Sequence, residues 1–363
     1  MHICLIGNGL TNLILAKILV KKKINVDLFY SKSFIAKNST RTISISNDNV
    51  NYLEKYFKNI KKIGWPTNTI KIYNETNNIN KILDFNDMNS TKFYVFTNDN
   101  LFKFFNKETF KDKNIKKKKI KLQTCYQNIV SENKYDLIIN SEKNNFFEKK
   151  YFSNKYQKNY NNFSYTSIIS HKNINNHTAR QIFTKHGPIA FLPISKSSTS
   201  IVFSVSANCK ILSKVKFKSF IKRYNNYYKN ISLKKLERFN LSFLLQRKYI
   251  YKNILNFGDN LHKIHPLAGQ GFNMNVRNIR SLSKLIDQRI QLGMNIDESV
   301  IEKFENKNKH LNFIFASGID LIHEFFQFNS LNPKYTNLLF KVLNKNKFFI
   351  LNATKFADKG ITI

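Results

Sequence analysis

The sequence from residue 2 to residue 30 is HICLIGNGLTNLILAKILVKKKINVDLFY, and its apolar pattern changes twice. Residues 2–6 form an apolar run, Gly-Asn-Gly at residues 7–9 interrupts it, and apolar residues then recur at helical spacing as far as Leu19. A second apolar run covers residues 24–30. A strand, a tight turn, a helix and a strand within about 30 residues predict a β-α-β unit with two parallel strands side by side.

The turn at residues 7–12 has the pattern G-x-G-x-x-G, with Asn12 in place of the third glycine. In a dinucleotide site the first glycine makes the turn, the second admits the pyrophosphate, and the helix N-terminus offers free N–H groups. Its position between a strand and a helix favours such a site over an ordinary turn. The acid expected at the end of the second strand is absent, because Tyr30 or Ser31 stands there. We expect this to weaken binding by about 1 kcal/mol without abolishing it.

The formal charge of +37, from 60 Lys and Arg against 23 Asp and Glu, would ordinarily indicate nucleic acid or an anionic membrane as a partner. Lys, Asn, Ile, Phe and Tyr are overused together, and A/T-rich codons encode these residues, so nucleotide bias accounts for much of the excess. Lys also outnumbers Arg, whereas base readout relies on the planar Arg fork. We therefore expect no specific nucleic-acid partner, and a weak attraction to anionic lipid stays open.

Length and composition narrow the remaining classes. A chain of 363 residues with 42% hydrophobic residues predicts about two folded domains and excludes disorder throughout. Cys4, Cys125 and Cys209 are too widely spaced for a disulfide framework or a thiolate zinc site. We see no secretory signal and no run of 18 apolar residues, and we expect a cytoplasmic protein, with peripheral contact to the inner face of the plasma membrane as an alternative.

Three further segments have simple local patterns. Residues 47–62 and residues 100–110 place apolar residues at helical spacing, and each predicts a helix. Residues 111–119 are rich in lysine and predict a solvated connector.

Residues 258–273 are GDNLHKIHPLAGQGFN and follow a short apolar strand. Asp259, His262 and His265 lie at three-residue intervals, which is the spacing that a metal site would need. The surrounding glycines indicate a loop, however, and no further Asp, Glu or Cys cluster completes a ligand set. We expect no metal here.

This stretch is similar to the G-D-A-A-H-x-x-H-P-x-x-G-Q-G-x-N motif of flavin-dependent aromatic hydroxylases with the p-hydroxybenzoate hydroxylase fold. The resemblance is greatest to the ubiquinone-biosynthesis hydroxylases. Residues 41–46, RTISIS, look like the R-x-x-A-L-S segment of that family, and residues 183–193, FTKHGPIAFLP, look like its F-x-x-x-G-P-x-A-x-L-P strand pair. The likeness keeps the order of the family from residue 2 to about residue 290.

The resemblance implies an α/β fold in which a Rossmann-like FAD-binding domain carries an inserted antiparallel-sheet substrate domain and a helical C-terminal tail. The short alternating segments between residues 160 and 250 independently predict an antiparallel sheet. The predicted domains are a discontinuous FAD-binding domain at 1–66, 98–160 and 250–300, a substrate domain at 67–97 and 161–249, and a helical region at 301–363.

The resemblance also implies roles for single residues. Asp259 would bind the ribityl chain, Gly7 and Gly9 would hold the pyrophosphate, and the loop from Pro266 to Asn273 would line the isoalloxazine ring. N–H groups of the helix that follows Gly271 would stabilise negative charge on the reduced ring. His265 and Pro266 are the candidate catalytic residues, although His265 equally suits a structural role in the loop. The implied cofactor-binding residues are Gly7, Gly9, Asn12, Tyr30, Arg41, Lys103, Asp259, Pro266, Ala268, Gly269, Gln270, Gly271, Phe272 and Asn273.

The activity implied by the resemblance is FAD-dependent transfer of one oxygen atom from O₂ to the aromatic ring of a polyprenylated phenol or benzoquinone precursor in ubiquinone biosynthesis. NAD(P)H is the expected electron donor, yet Ser141-Glu142-Lys143 replaces the Asp-Gly pair that the family associates with NAD(P)H, which leaves the donor open. The alternative is a weakly active scaffold within an assembly of ubiquinone-biosynthesis proteins. Residues 311–328 and 338–350 either pack on the FAD domain or lie on the membrane that dissolves such a substrate.

Overall fold

The computed structural model describes residues 1–31, 39–75, 79–86, 90–120, 122–206, 213–265, 269–329, 358 and 360. The strands are β1 (His2–Ile6), β2 (Asn25–Tyr30), β3 (Thr42–Ser46), β4 (Trp65–Thr67), β5 (Thr69–Glu75), β6 (Ile79–Asn86), β7 (Phe93–Thr97), β8 (Ile115–Lys119), β9 (Leu137–Asn140), β10 (Lys155–Ser170), β11 (Thr178–Thr184), β12 (Gly187–Ser195), β13 (Ser198–Ser206), β14 (Ser232–Leu233), β15 (Glu237–Gln246), β16 (Ile250–Tyr251), β17 (Ile254–Asn256) and β18 (His262–Lys263). The helices are α1 (Leu10–Lys21), α2 (Asn47–Glu54), α3 (Asn98–Thr109), α4 (Thr124–Ser131), α5 (Phe146–Tyr151), α6 (Lys214–Tyr224), α7 (Gln270–Gln291) and α8 (Glu298–Asn329).

A six-stranded sheet in the order β16-β17-β9-β1-β2-β8 forms the first layer. β1 pairs in parallel with β2 on one side and with β9 on the other, and β17 and β8 extend the parallel part outward. Helix α1 connects β1 to β2, and its central leucine and isoleucine side chains are fully buried. The predicted β-α-β unit is therefore confirmed, and it brings the carboxyl ends of β1, β2, β9 and β17 to one edge of the sheet.

The prediction of a solvated connector at residues 111–119 is wrong for its second half, because residues 115–119 form the edge strand β8. Ile115 is buried, and Lys117 lays its ammonium 5.0 Å from the centre of the Tyr30 ring. Lys118 donates to Asp27 Oδ2 at 2.8 Å. The apolar parts of these lysine side chains cover the edge of the sheet, and their ammonium groups contact Tyr30 and Asp27. A run of positive charges in the sequence does not by itself predict this arrangement.

The two predicted helices differ in outcome. The helix predicted at residues 100–110 is confirmed as α3, where the Thr97 side chain accepts a hydrogen bond from Asn100 N at 3.4 Å. The helix predicted at residues 47–62 is wrong beyond Glu54. Asn59 takes a left-handed φ of 67°, and the chain continues in a short 3-10 helix at Ile60–Ile63. The left-handed conformation of Asn59 prevents one continuous α-helix as far as residue 62, although the apolar spacing continues.

A large sheet in the order β18-β15-β10-β13-β12-β11-β5-β6 forms the second layer. Its pairs are antiparallel except for β11 with β5, so the predicted antiparallel sheet is confirmed. One face packs under α6, where Phe217 and Ile221 contact Ile201 and Phe203 of β13. A small sheet in the order β3-β7-β4 lies between the two larger sheets. Its strands β4 and β7 contact β12 of the large sheet, and its strand β3 contacts α7 of the parallel layer.

Helices α7 and α8 pack against each other and close the parallel layer, where Leu282 and Ile286 join Ile301 and Phe304 in the core. In the part of the chain that the structure describes, no helix is long and apolar enough to cross a membrane. The predicted segment at residues 311–328 lies in α8, whereas the one at 338–350 lies outside the described residues.

Candidate functional site

The turn after β1 depends on two glycines with different surroundings. Gly7 has a φ of 109°, and a Cβ placed there would lie 3.0 Å from Ser141 Oγ and 3.1 Å from Glu142 N. A side chain at this position is therefore excluded by both conformation and space. Gly9 precedes helix α1 without a side-chain cap, and a Cβ placed on it would meet nothing within 4 Å. Open space thus lies in front of the N–H groups that begin α1.

Asn12 replaces the third glycine of the pattern, and in the structure its side chain forms two hydrogen bonds that the sequence did not indicate. The side chain is fully buried, and its Nδ2 donates to Ile6 O at 2.8 Å and to Gly7 O at 2.9 Å. The amide therefore ties the helix to the turn that precedes it. These two hydrogen bonds stabilise the conformation of the turn.

The turn after β9 lies against the turn after β1 at Gly7, and buried asparagines join it to the turn after β17. Asn140 Nδ2 donates to Asn256 Oδ1 at 3.2 Å, and Asn145 Nδ2 donates to Asn140 Oδ1 at 2.6 Å. Asn260 Nδ2 donates to Asn256 Oδ1 at 3.0 Å and to Glu142 O at 3.3 Å. These buried asparagines link the carboxyl ends of β9 and β17. We call the turns at residues 7–9, 141–143 and 258–260 the three-turn edge.

Asp259 lies on the three-turn edge with its carboxylate accessible. Gly258, at φ 66°, sits against Thr11 of α1, whose Cγ2 would be 3.1 Å from an added Cβ. The Asp259 side chain is 57% exposed and accepts from Asn275 Nδ2 at 2.7 Å, with Lys143 Nζ 3.6 Å away. Desolvation raises the pKa of Asp259, but the Lys143 charge and the Asn275 hydrogen bond outweigh it, so the pKa lies below its ordinary value. A negative charge is therefore fixed beside the start of α1.

The start of α7 is held against β3 by one side chain. Gly269 has a φ of 64°, and a Cβ there would lie 3.0 Å from Ser44 Cβ. Asn273 accepts from Ser46 N and from Asn49 Nδ2, both at 2.9 Å, and donates to Ser44 O at 3.0 Å. The first turn of α7 is thereby fixed in orientation, with its N–H groups available at the helix end.

Comparison with known proteins gives the fold and a set of relatives. No family model matches the chain. In sequence it is 33% identical over 84 residues to the ubiquinone biosynthesis monooxygenase COQ6 of Dictyostelium discoideum, which covers 23% of this chain and 17% of that protein. It is 29% identical over 159 residues to the 3-demethoxyubiquinol 3-hydroxylase of Escherichia coli, covering 42% of this chain and 40% of that protein. The matches thus span less than half of either relative.

The solved structures agree over almost the whole chain. The p-nitrophenol 4-monooxygenase of Pseudomonas putida superposes with a TM-score of 0.75 at 10% identity, covering 98% of this chain and 97% of that one. A probable FAD-dependent monooxygenase of Pseudomonas aeruginosa superposes with a TM-score of 0.70 at 11% identity, covering 90% of this chain and 97% of that one. This chain has the FAD-dependent monooxygenase fold. The predicted fold and the predicted resemblance are both confirmed.

Within the FAD-dependent monooxygenase fold, the residues predicted to bind the cofactor occupy three places. Gly7, Gly9 and Asp259 meet at the three-turn edge. Gly269, Gln270, Gly271, Phe272 and Asn273 form the start of α7, where Gln270 and Asn273 are buried and Phe272 is half-buried. Arg41, just before β3, is exposed, and its charge helps to lower the pKa of Asp259. Their roles toward FAD stay predictions.

The remaining predicted residues lie elsewhere or outside the described chain. Tyr30 is half-buried at the end of β2 under the Lys117 ammonium, and Lys103 is exposed on α3. Pro266 and Ala268 lie outside the described residues. Sequence reasoning missed the contacts of Lys143 and Glu142, which follow from strand pairing across more than 100 residues of chain, and the hydrogen bond that Asn275 of α7 donates to Asp259.

The two histidines of the 258–273 stretch are both buried. Asn278 Nδ2 donates to His262 Nε2 at 3.2 Å, and burial lowers the pKa of His262 to about 4. His262 is therefore neutral near pH 7. His265 lies edge-on to Tyr160, with ring centres 5.8 Å apart. Tyr160 also donates to Asp320 of α8, which joins the loop, the large sheet and α8 in one cluster.

The large sheet presents hydroxyl groups to β3, although the sequence emphasised its aromatic residues. Side chains alternate along β13, so Ile201 and Phe203 pack under α6 while Ser200 points the other way. Ser200 Oγ lies 2.9 Å from Thr42 Oγ1, and Thr166 Oγ1 lies 2.8 Å from Thr40 Oγ1. We call the cluster formed by Thr40, Thr42, Thr166 and Ser200 the hydroxyl face; Thr40, Thr166 and Ser200 are buried, and Thr42 is partly exposed. Most of the aromatic residues thus serve the core beneath α6.

The hydroxyl face has an acidic anchor. Glu237 accepts from Thr40 N at 2.8 Å, and although burial opposes it, hydrogen bonds from Lys235 and Thr40 hold the pKa of Glu237 below its ordinary value. The loop before Arg41 is therefore tied to the large sheet. Elsewhere, large side chains from the large sheet and from α7 and α8 form a buried apolar cluster, namely Phe183, Phe243, Leu245, Met274 and Phe315.

Proposed function

We propose that this chain binds FAD and hydroxylates the aromatic ring of a polyprenylated phenol or benzoquinone precursor in ubiquinone biosynthesis. The main support is the three-turn edge, where an open helix N-terminus beyond Gly9 lies next to the fixed carboxylate of Asp259. An anion binds well at such a helix end, and a carboxylate accepts hydroxyl donors. The sequence relatives named as ubiquinone-biosynthesis hydroxylases support the choice of substrate class.

The residues present suit FAD. N–H groups at the start of α1 would hold the pyrophosphate, Asp259 would accept from the ribityl hydroxyls, and N–H groups at the start of α7 would stabilise negative charge on the ring. Lys143 and Arg41 add positive charge near Asp259. When bound, FAD supplies the electrons and the activation of O₂ that no side chain provides. The chain's own residues would bind, orient and exclude water.

On the substrate side, the partly exposed Thr42 of the hydroxyl face can hydrogen-bond a ring oxygen, while the buried Ser200 holds the Thr42 hydroxyl in place. His265 is a candidate for positioning the loop beside the ring, through its contact with Tyr160.

The reductant and the location belong to the same proposal. We expect NAD(P)H to reduce the flavin, and O₂ to be the second substrate. Peripheral membrane contact is supported by side chains of α8 that are more than half exposed, Phe313, Ile314 and Leu321. Flotation with anionic liposomes at low salt checks this contact, and protein that stays unbound there would rule it out.

Oxygen uptake tests the activity. Purified protein supplied with FAD and NAD(P)H should consume O₂ faster when a prenylated phenol is added, and the product should gain the mass of one oxygen atom. Labelling with ¹⁸O₂ should place that label in the product. Uptake that does not respond to any prenylated phenol, or product oxygen that comes from water, would contradict the proposed activity.

A further inference from the structure

The end of β2 lacks its own acid, but a carboxylate occupies that position from another strand. Glu142 follows β9, and its Oε1 accepts hydrogen bonds from Ser31 N at 3.3 Å and from the Ser31 hydroxyl. Glu142 thus crosses the end of β1 to reach the residue that follows β2. The first glycine permits this crossing, because an added Cβ on Gly7 would lie 3.2 Å from Glu142 Cβ.

The backbone of Glu142 is held on both sides. Its N–H donates to Asn140 Oδ1 at 3.3 Å, and its carbonyl accepts from Asn260 Nδ2 at 3.3 Å. Asn140 and Asn260 are both buried, and Asn260 adjoins Asp259. The same amide cluster therefore sets the positions of both carboxylates on the three-turn edge.

The Glu142 carboxylate has capacity for another donor. Ser31 occupies Oε1, and the Tyr126 hydroxyl donates to Oε2 at 3.3 Å. A carboxylate has about four acceptor positions, so at least one position on Oε2 stays available. The side chain is only partly buried, which leaves that position accessible. Asp27, the acid within β2, is instead buried, and its Oδ2 accepts hydrogen bonds from Lys118 and Tyr135.

We propose that Glu142 is the carboxylate that binds the hydroxyl groups of the adenosine ribose of FAD, in place of an acid at the end of β2. The inference rests on the proposed FAD-dependent function. It follows from position, since the ribose of a dinucleotide on this layer lies beyond the second strand when the pyrophosphate lies at the N-terminus of α1. The Glu142 carboxylate then takes the place of the acid that is absent at residues 30 and 31.

Binding of FAD and of an analogue whose adenosine ribose lacks both hydroxyl groups tests this assignment, with quenching of flavin fluorescence as the readout. Glu142→Gln should raise the dissociation constant for FAD about tenfold or more, because a hydrogen bond to a charged acceptor is replaced by a neutral one. The same variant should bind the analogue within about twofold of the wild type, since non-additivity reports a direct contact. Glu132→Gln, which removes one negative charge from the exposed end of α4, should bind FAD like the wild type.

The outcomes separate the two proposals. Wild type that binds FAD no more tightly than the analogue, or Glu142→Gln that loses equal affinity for both, would overturn the role of Glu142 and leave FAD binding intact. Wild type that binds neither compound would overturn the proposed function together with this inference. If Glu142→Gln does not fold, Glu142→Asp replaces it, because it keeps the charge but shortens the side chain; it should weaken the binding of FAD and leave the binding of the analogue within about twofold of the wild type.

Discussion

The three-turn edge and the hydroxyl face both border the proposed site, but they are built differently. At the three-turn edge, glycine conformations and buried asparagine amides fix the backbone, as Gly7 and Asn260 do. On the hydroxyl face, strand alternation selects the residues, and pairs such as Thr42 with Ser200 meet through small side chains. Backbone geometry therefore restricts which residues can occupy the three-turn edge. Residues of the hydroxyl face can be replaced one at a time without changing the backbone. The three-turn edge is therefore expected to tolerate fewer substitutions than the hydroxyl face.

The largest effect is expected on the side of the large sheet. Gly187 has a φ of 122°, and an added Cβ would lie 2.1 Å from Ser204 O. Gly187→Ala should lower the free energy of unfolding by about 3 kcal/mol or more, because left-handed strain and a backbone clash add. Urea denaturation measures this. A loss under about 1 kcal/mol would mean that β12 and β13 yield easily and that Gly187 places no backbone constraint on the large sheet.

The buried side-chain amide of Asn273 holds the start of α7 against β3 at the cofactor end of the proposed site. Asn273→Ala removes the hydrogen bonds to Ser46 N and Ser44 O and should cost about 2 to 3 kcal/mol, since both backbone groups would be left unsatisfied. Asn306→Ala, at an exposed position on α8, is the control and should change stability by less than about 0.5 kcal/mol. Equal losses in the two variants, measured by denaturation, would contradict the importance of this anchor.

His262 makes stability depend on pH. Its pKa in the folded protein is about 4, below the ordinary value of about 6.5 for an unfolded chain. The unfolded state therefore binds an additional proton as the pH falls from about 6.5 to about 4, and stability should fall by about 2 kcal/mol over that window, with no such change above it. His262→Gln should flatten this part of the pH profile, whereas His310→Gln, at an exposed position, should leave it unchanged. A profile that His262→Gln leaves unaltered would show that other groups titrate there.

Gly9 allows the cofactor end to be changed without changing the fold. A Cβ at Gly9 meets no protein atom within 4 Å and points into the space that the pyrophosphate would use. Gly9→Ala should weaken FAD binding about tenfold while the free energy of unfolding changes by no more than about 1 kcal/mol. Fluorescence titration and denaturation of the same preparation test both parts. Unchanged affinity would mean that the phosphates lie elsewhere.

The smallest effect is expected from the hydroxyl face. Thr42→Val removes the hydrogen bond to Ser200 at nearly constant volume and should cost about 1 kcal/mol of stability. FAD affinity should stay the same, whereas KM for the prenylated phenol should change. A change in FAD affinity with constant KM would place Thr42 with the cofactor instead.

The glycines explain how much of the fold could be predicted. Gly7 is needed for its conformation and for space, whereas Gly9 leaves open space before α1, and the spacing of the two predicted the β-α-β unit before any contact was known. The strand β8 could not be predicted, because its lysines pair with Asp27 and cover Tyr30 only after the sheet has formed. A local sequence pattern shows where the backbone needs a glycine. It does not show which side chains meet once strands distant in sequence have paired.

The site was predictable to the same extent. Asp259 and the start of α7 lie within one continuous stretch, and the structure brings that stretch to β3 and to α1. Glu142 escaped prediction because an acid was sought at residues 30 and 31, whereas its carboxylate arrives there from a turn 111 residues later. The hydroxyl face escaped it because the aromatic residues on the same strands, packed under α6, gave the stronger pattern.

Equilibrium titration with FAD is the most direct test of the central claim that the three-turn edge holds this cofactor. Wild type should bind one FAD per chain, and Asp259→Asn should raise the dissociation constant about tenfold, because a charged acceptor becomes a neutral one. Wild type that binds no FAD at saturating concentration, or Asp259→Asn that binds it with unchanged affinity, would contradict the claim.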